Sequence, residues 1–279
     1  MSDAGTISGG RLLLMGTPAE EGGGGKVEMI RSGCFADVDV AMMVHPCPAD
    51  LVYATFLAIR PVTVTYKGVS SHASGSPERG INALDAVVSA YNAVSAMRQQ
   101  FKQSWRAHGI ISKGGDKPNI IPDETECIFY ARAPNAQELE ELQQKLTRCF
   151  EGAAVSTGCS VEIEWDRNPY SNLCTNATLA ELYKGNARTL GKNFRPPEVE
   201  MTIPSGSTDM GNGRYASKRT IDFHSSFLRA VVQFPTWSRR SIRCSPYQRE
   251  LGTITQDSPQ QPGRKARTSR RSSPASRWP

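Results

Sequence analysis

The order of hydrophobic periods between residues 55 and 168 most constrains how this chain can fold. Residues 56–67 alternate and carry the β-branched run Val62, Thr63, Val64 and Thr65, the pattern of a strand. Residues 81–100 change to helical spacing, with Ile81, Leu84, Val88, Tyr91, Val94 and Met97 on one face. Two further strands follow at 107–112 and 124–131, joined through Gly114, Gly115 and Pro118. Asn135 then stands where a helix N-cap is expected, with Glu138 three residues on as its capping-box partner. Leu139, Leu142, Leu146 and Cys149 line that helix, and residues 158–165 alternate once more. The order β-α-β-β-α-β predicts a ferredoxin-like α+β unit, an antiparallel sheet with both helices on one side. Such a sheet has open edges that invite pairing.

This unit interrupts a second pattern. Residues 11–17 contain a short apolar run that reads as a strand, residues 26–32 as a short helix before Gly33, and residues 38–44 as a buried strand running into His45 and Pro46. Beyond the insertion, residues 177–190 read as a helix, 199–203 as a strand, and a Gly- and Ser-rich loop then carries Gly206, Ser207 and Asp209. These pieces predict an α/β domain, an incomplete doubly wound sheet formed by residues 1–54 and 170–212, with residues 55–169 inserted. A length of 279 residues accommodates either one large or two ordinary domains.

The chemistry is concentrated after the first apolar run. Glu20 and Glu21 adjoin each other and are followed by four glycines, so backbone there can approach a ligand closely. In extended backbone the two carboxylates would point opposite ways, one toward a metal and one toward substrate. A cation to acidify water and a carboxylate to take its proton are what metal-assisted hydrolysis needs. The plain alternative is an acidic, flexible surface loop. Both the glutamate pair and His45 fall at carboxyl ends of expected strands, where ligands collect in open α/β sheets.

The net charge of +6 is unevenly placed. Residues 213–279 hold 14 Lys and Arg against 3 Asp and Glu, which leaves residues 1–212 mildly acidic. Pro, Ser, Gln and Arg dominate the last thirty residues, a composition that buries too little apolar surface to order itself. A disordered basic tail is expected over 213–279, read as a non-native extension rather than a nucleic-acid arm. The seven cysteines show no C-x-x-C spacing, which suits a reducing compartment and a cytoplasmic protein. No signal peptide is legible, and no apolar run approaches the ~20 residues of a membrane helix.

In combination, several motifs resemble the peptidase M20 family of metal-dependent peptidases and amidohydrolases: GTPAEEGGGGK at 16–26, MMVHP at 42–46, KGVSSHAS at 67–74, NIIPD at 119–123 followed by YAR at 130–132, and IPSGSTD at 203–209. The resemblance covers residues 11–212. It implies that Glu20 is the general base, that Glu21 and His45 are metal ligands, and that the inserted unit is a lid that also forms a homodimer. It implies further that His72 reaches a neighbouring active site to stabilise the tetrahedral intermediate's oxygen. Asn119, Arg132, Gly206 and Ser207 would bind substrate, with Arg132 suited to a carboxylate. The implied cofactor is a divalent metal, Zn or Mn, in a two-metal site, and the implied substrate a dipeptide or N-acyl amino acid. His108 and His224 stand in no motif and receive no role.

Two departures from the family pattern shape the functional expectation. The family places a Cys/His metal motif well before its glutamate pair, which here begins at position 20. The sequence also leaves the family pattern after Asn212. Two recognisable ligands would hold a cation loosely, so the chain is expected to be a metallodipeptidase by descent, weak or inactive as it stands. The alternative is a non-catalytic interaction protein that pairs with a full-length relative through the lid.

Overall fold

The computed structural model describes residues 13–47, 49–203, 206–215 and 219–225; of Pro46, residues 214–215 and 219–225 it describes the backbone alone. Helix α1 spans Gly25–Arg31 and strand β1 Val40–Pro46. The inserted unit runs through β2 (Ala58–Lys67), the short β3 (Ser71–His72), α2 (Ala83–Met97), β4 (Arg106–Lys113), the short β5 (Ile120–Ile121), β6 (Glu124–Ala133), α3 (Ala136–Thr157) and β7 (Ser160–Trp165). After it come α4 (Ala177–Thr189), α5 (Pro197–Glu200), a 3-10 turn at Asp209–Tyr215 and β8 (Arg219–Ser225).

The inserted sheet has the order β4-β6-β2-β7, with every neighbouring pair antiparallel. Counting only its four long strands, the second and third pair, the third pairs the first, and the first pairs the fourth. That is the ferredoxin-like arrangement the element order predicts. β2 is central because its alternate residues Val62, Val64 and Tyr66 are buried against the helices. The Tyr66 hydroxyl finds its partner inside the core, donating to the Phe150 carbonyl at 2.9 Å. Burial pushes that phenol far above its usual range. Phe129 packs between Phe150 and Tyr91, with ring centroids 5.6 and 5.8 Å away.

Helix α3 begins as its sequence dictates. The Glu138 amide donates to Asn135 Oδ1 at 2.9 Å, and Asn135 Nδ2 donates back to the Glu138 carboxylate at 3.2 Å. Its expected face, Leu139, Leu142, Leu146 and Cys149, is buried. Helix α2 instead buries a face rotated from the expected one. Ala83, Ala86, Val87, Ala90 and Val94 point inward, and Val88 is exposed. Alanines let the two helices and the sheet approach closely, so small residues rather than the largest apolar ones define this interface.

The surrounding part departs from expectation in four places. Residues 13–19 form no strand, and Leu14 is 90% exposed; residues 11 and 12 of that expected strand lie outside the described residues. A strand needs a hydrogen-bonded neighbour, and β1 pairs only with β8 among the described residues. Residues 199–203, expected as a strand, are the end of α5 and a turn. Pro197 sets that helix's first turn, and the buried Glu200 carboxylate accepts the Val52 and Tyr53 amides at 2.9 Å each. Glu20–Gly23 is a turn rather than extended backbone. Finally, β8 lies inside the segment expected to be a disordered tail and pairs in parallel with β1, setting His224 opposite His45 in register. Residues 226–279 lie outside the described residues. Val40, Met42 and Val44, alternate residues of β1, are exposed and form an apolar face.

Candidate active site

The glutamate pair sits in a loop held from three sides. Ala19 has φ 58°, a left-handed conformation unusual for a residue with a Cβ. Its carbonyl accepts the Gly24 amide at 3.1 Å, which folds residues 19–24 into a closed turn. Gly24 is the N-cap of α1 at φ 67°, and a Cβ there would press within 3.0 Å of Asn168 and 3.1 Å of the Tyr170 ring. Glycine is the residue that fits both constraints.

The loop's outer anchors come from distant sequence. The Tyr170 hydroxyl donates to the Glu20 carbonyl at 3.0 Å and accepts the Gly24 amide at 3.0 Å. Asn168 Nδ2 donates to the Gly23 carbonyl at 2.7 Å, and Arg31 donates to Asn168 Oδ1 at 2.6 Å. Asp209 accepts the Lys26 amide at 3.0 Å and binds Lys26 Nζ at 2.7 Å, with both side chains buried. Asp209 therefore clamps the first turn of α1.

This scaffold brings Glu20, Glu21 and His45 together. One ligand atom from each lies within 4.8 Å of the others. His45 Nε2 stands 3.7 Å from Glu20 Oε2, and Glu20 Oε1 is buried with no hydrogen-bond partner among the described residues. Burying a carboxylate oxygen without a partner is costly, so the arrangement suits a cation. Glu21 and His45, with the Glu20 carboxylate beside them, suit a hard or borderline divalent ion. Because residues 20–23 form a turn, both acids face the same space, against the expectation that neighbours would point apart.

The other expected residues form two further groups. His72 and Asn119 lie side by side on the small β3–β5 ribbon, where His72 pairs with Ile120 and the Ala73 amide donates to the Asn119 carbonyl at 3.0 Å. His72 is exposed, and its Nδ1 accepts the Gly75 amide at 3.0 Å. In the neutral ring that leaves the proton on Nε2, ready to donate. In the other group, Arg132 on β6 donates from Nη1 to Ser207 Oγ at 3.0 Å, while the Gly206 carbonyl accepts the Leu57 amide at 3.2 Å. Arg132 also donates from Nε to His108 Nε2 at 3.4 Å. Burial lowers the His108 pKa, as do the neighbouring Arg132 and Arg98 cations. His108, Asn168, Tyr170 and Lys26 receive no role from the sequence, and Asp209 stands there only as part of the Gly- and Ser-rich loop. Their roles come from contacts between segments about 25 to 180 residues apart, which no local motif signals.

Residues 59–157 match the peptidase dimerisation domain of M20 enzymes. Over 202 residues the chain is 46% identical to the Xaa-Arg dipeptidase of Mus musculus, covering 72% of this chain and 47% of that protein. Over these residues the chain is similar to the peptidase M20 family. It is also 34% identical over 215 residues to a p-aminobenzoyl-glutamate hydrolase polypeptide of Escherichia coli, covering 76% of this chain and 45% of that protein. The crystal structure of an aminobenzoyl-glutamate utilization protein from Klebsiella pneumoniae shares the M20 fold at a TM-score of 0.57 and 20% identity, over 70% of this chain and 52% of that one. The chain thus spans about half the length of the curated M20 relatives it matches.

Proposed function

We propose that this chain is a metal-dependent hydrolase of the amide bond in dipeptides or N-acyl amino acids, with weak turnover on its own. One observation carries the reading: Glu20, Glu21 and His45 converge within 4.8 Å around a buried carboxylate oxygen that has no partner among the described residues. The relatives support the substrate class, since their names refer to Xaa-Arg dipeptides and p-aminobenzoyl-glutamate. Residues 1–54 with 170–212 form the catalytic part and residues 55–169 the lid.

Glu21 and His45 would hold the cation, which supplies Lewis acidity to the scissile carbonyl and to water. Glu20 takes a proton from water as its oxygen bonds to the carbonyl carbon, then returns that proton to the departing amine as the C–N bond breaks. Arg132, steadied by Ser207 and His108, binds the substrate's carboxylate. Asn119 adds a polar contact on the same lid. The Nε2–H of His72, placed by its Nδ1 contact with the Gly75 amide, donates to the carbonyl oxygen in the transition state, across a homodimer interface. The edge strand β4, with Ile110 and Ile111 exposed, favours pairing through the lid. Among the described residues one cluster of three donors could hold a metal, fewer than a two-metal site uses. Weak turnover follows from that donor set.

No helix among the described residues is long and apolar enough to cross a membrane. Among the described residues the cysteines form no disulfide, which supports a cytoplasmic placement. The test is metal content per purified chain, measured beside hydrolysis of an Xaa-Arg, Xaa-Lys and N-acyl amino acid panel. Retention of Mn or Zn that Glu21→Gln abolishes, with slow metal-dependent cleavage, is expected. No retained metal and no cleavage would refute the hydrolase reading. Turnover near 1–10 per second, ordinary for enzymes, would refute the weak-site reading.

A further inference from the structure

Tyr170, which no motif in the sequence singles out, touches the turn that carries the two carboxylates. Three features meet at its hydroxyl. The group donates to the Glu20 carbonyl and accepts the Gly24 amide, both at 3.0 Å, so it bridges the two ends of the turn that carries Glu20 and Glu21. Ala19, the residue before the pair, holds a φ of 58° that an alanine adopts only when its surroundings enforce it. The Ala19 carbonyl lies 3.4 Å from the same hydroxyl and also accepts the Gly24 amide. The Tyr170 backbone is itself fixed, exchanging two hydrogen bonds with Ile59 at the start of β2, each 3.0 Å long.

We propose that Tyr170 is the positioning residue of the metal site: through the Glu20 carbonyl and the Gly24 amide it holds Ala19 in its strained turn, so that Glu20 and Glu21 both face His45. The proposal rests on the metal-site reading given above. Without the hydroxyl, Ala19 relaxes toward negative φ, and rotation about that one residue swings both carboxylates away from the imidazole. Because Tyr170 is also bonded to the first residues of β2, the same contact links the lid's central strand to the carboxylates.

The experiment is a Mn2+ titration, followed by the electron paramagnetic resonance signal of the free ion, on full-length wild type, Tyr170→Phe, Ala19→Gly and the double variant. Phe keeps the ring and removes only the hydroxyl. Tyr170→Phe is expected to weaken Mn2+ binding about tenfold, the scale of one or two neutral hydrogen bonds. Ala19→Gly alone should change affinity by less than about threefold, because glycine enters the left-handed region without strain. In the double variant glycine should restore most of the lost affinity, a rescue that general loosening of the fold would not give. Wild-type affinity in Tyr170→Phe, or a double variant as weak as Tyr170→Phe, overturns the positioning role while leaving the metal site standing. Failure of the wild type to bind Mn2+ overturns the metal site itself, and the positioning role with it.

Discussion

Asp209→Ala should be among the most damaging single substitutions in the part of the chain that carries the glutamates. Asp209 and Lys26 are 0% and 3% exposed. The carboxylate meets Lys26 twice, at Nζ 2.7 Å away and at the backbone amide 3.0 Å away, the second residue of α1. Removing it leaves an ammonium in the protein interior with no countercharge and a helix N-terminal amide without its acceptor. Breaking a buried pair on one side costs about 3–5 kcal/mol. Asp209→Asn keeps an oxygen for one of the two donors and loses the charge, so a smaller cost of about 2 kcal/mol is expected. The double substitution Lys26→Met with Asp209→Leu removes both charges; since apolar replacements of buried pairs are often neutral, it should cost less than Asp209→Ala alone. Urea unfolding followed by circular dichroism measures all three, with an unchanged slope showing that the denatured state is not responsible. A cost below about 1 kcal/mol for Asp209→Ala, or a double variant that simply adds the two single losses, would refute the view that this pair clamps the first turn of α1.

Three further outcomes follow from the same geometry. Glu21→Gln should cost metal affinity, whereas Glu20→Gln should keep the metal and lose turnover; equal losses of metal in both would show that the two acids share one role. Gly24→Ala should destabilise by about 1–3 kcal/mol, because alanine must adopt φ 67° and also displace Asn168 or Tyr170, and its midpoint in thermal unfolding reads this directly. His108 has a lowered pKa in the folded chain against the ordinary 6.5, so the unfolded chain binds the proton first. Its contribution is intact above about pH 6.5 and is lost as pH falls from there toward the lowered value. His108→Asn should flatten that part of the stability profile, and an unchanged profile would show that neither burial nor the Arg132 and Arg98 cations lower the ring's pKa.

Much of the lid was legible because its signals are local. Alternation in β2, the Asn135–Glu138 capping box and the Leu139, Leu142, Leu146 stripe of α3 each depend on residues within one turn or one strand. The helix 81–97 was legible as a helix but not in its orientation, since large residues such as Val88 satisfy the period while Ala83, Ala86 and Ala90 allow the close approach. The expected strand at 199–203 failed because Pro197 and the Glu200 contacts with Val52 and Tyr53 outweigh β propensity there. β8 was illegible because its composition reads as a polar tail, and its strand exists through pairing with β1.

By itself, the sequence determined the ferredoxin-like order of the inserted unit and the residue types of the candidate site: the paired acids, the glycines after them and the imidazole closing β1. Which way those side chains face was decided only by tertiary structure. The positive φ of Ala19, the Tyr170 bridge and the Lys26–Asp209 pair join segments 146 to 183 residues apart. Local sequence sets backbone preference worth tenths of a kcal/mol to about one per residue. Buried polar contacts between distant segments are worth more where they converge, and at this turn they set the geometry.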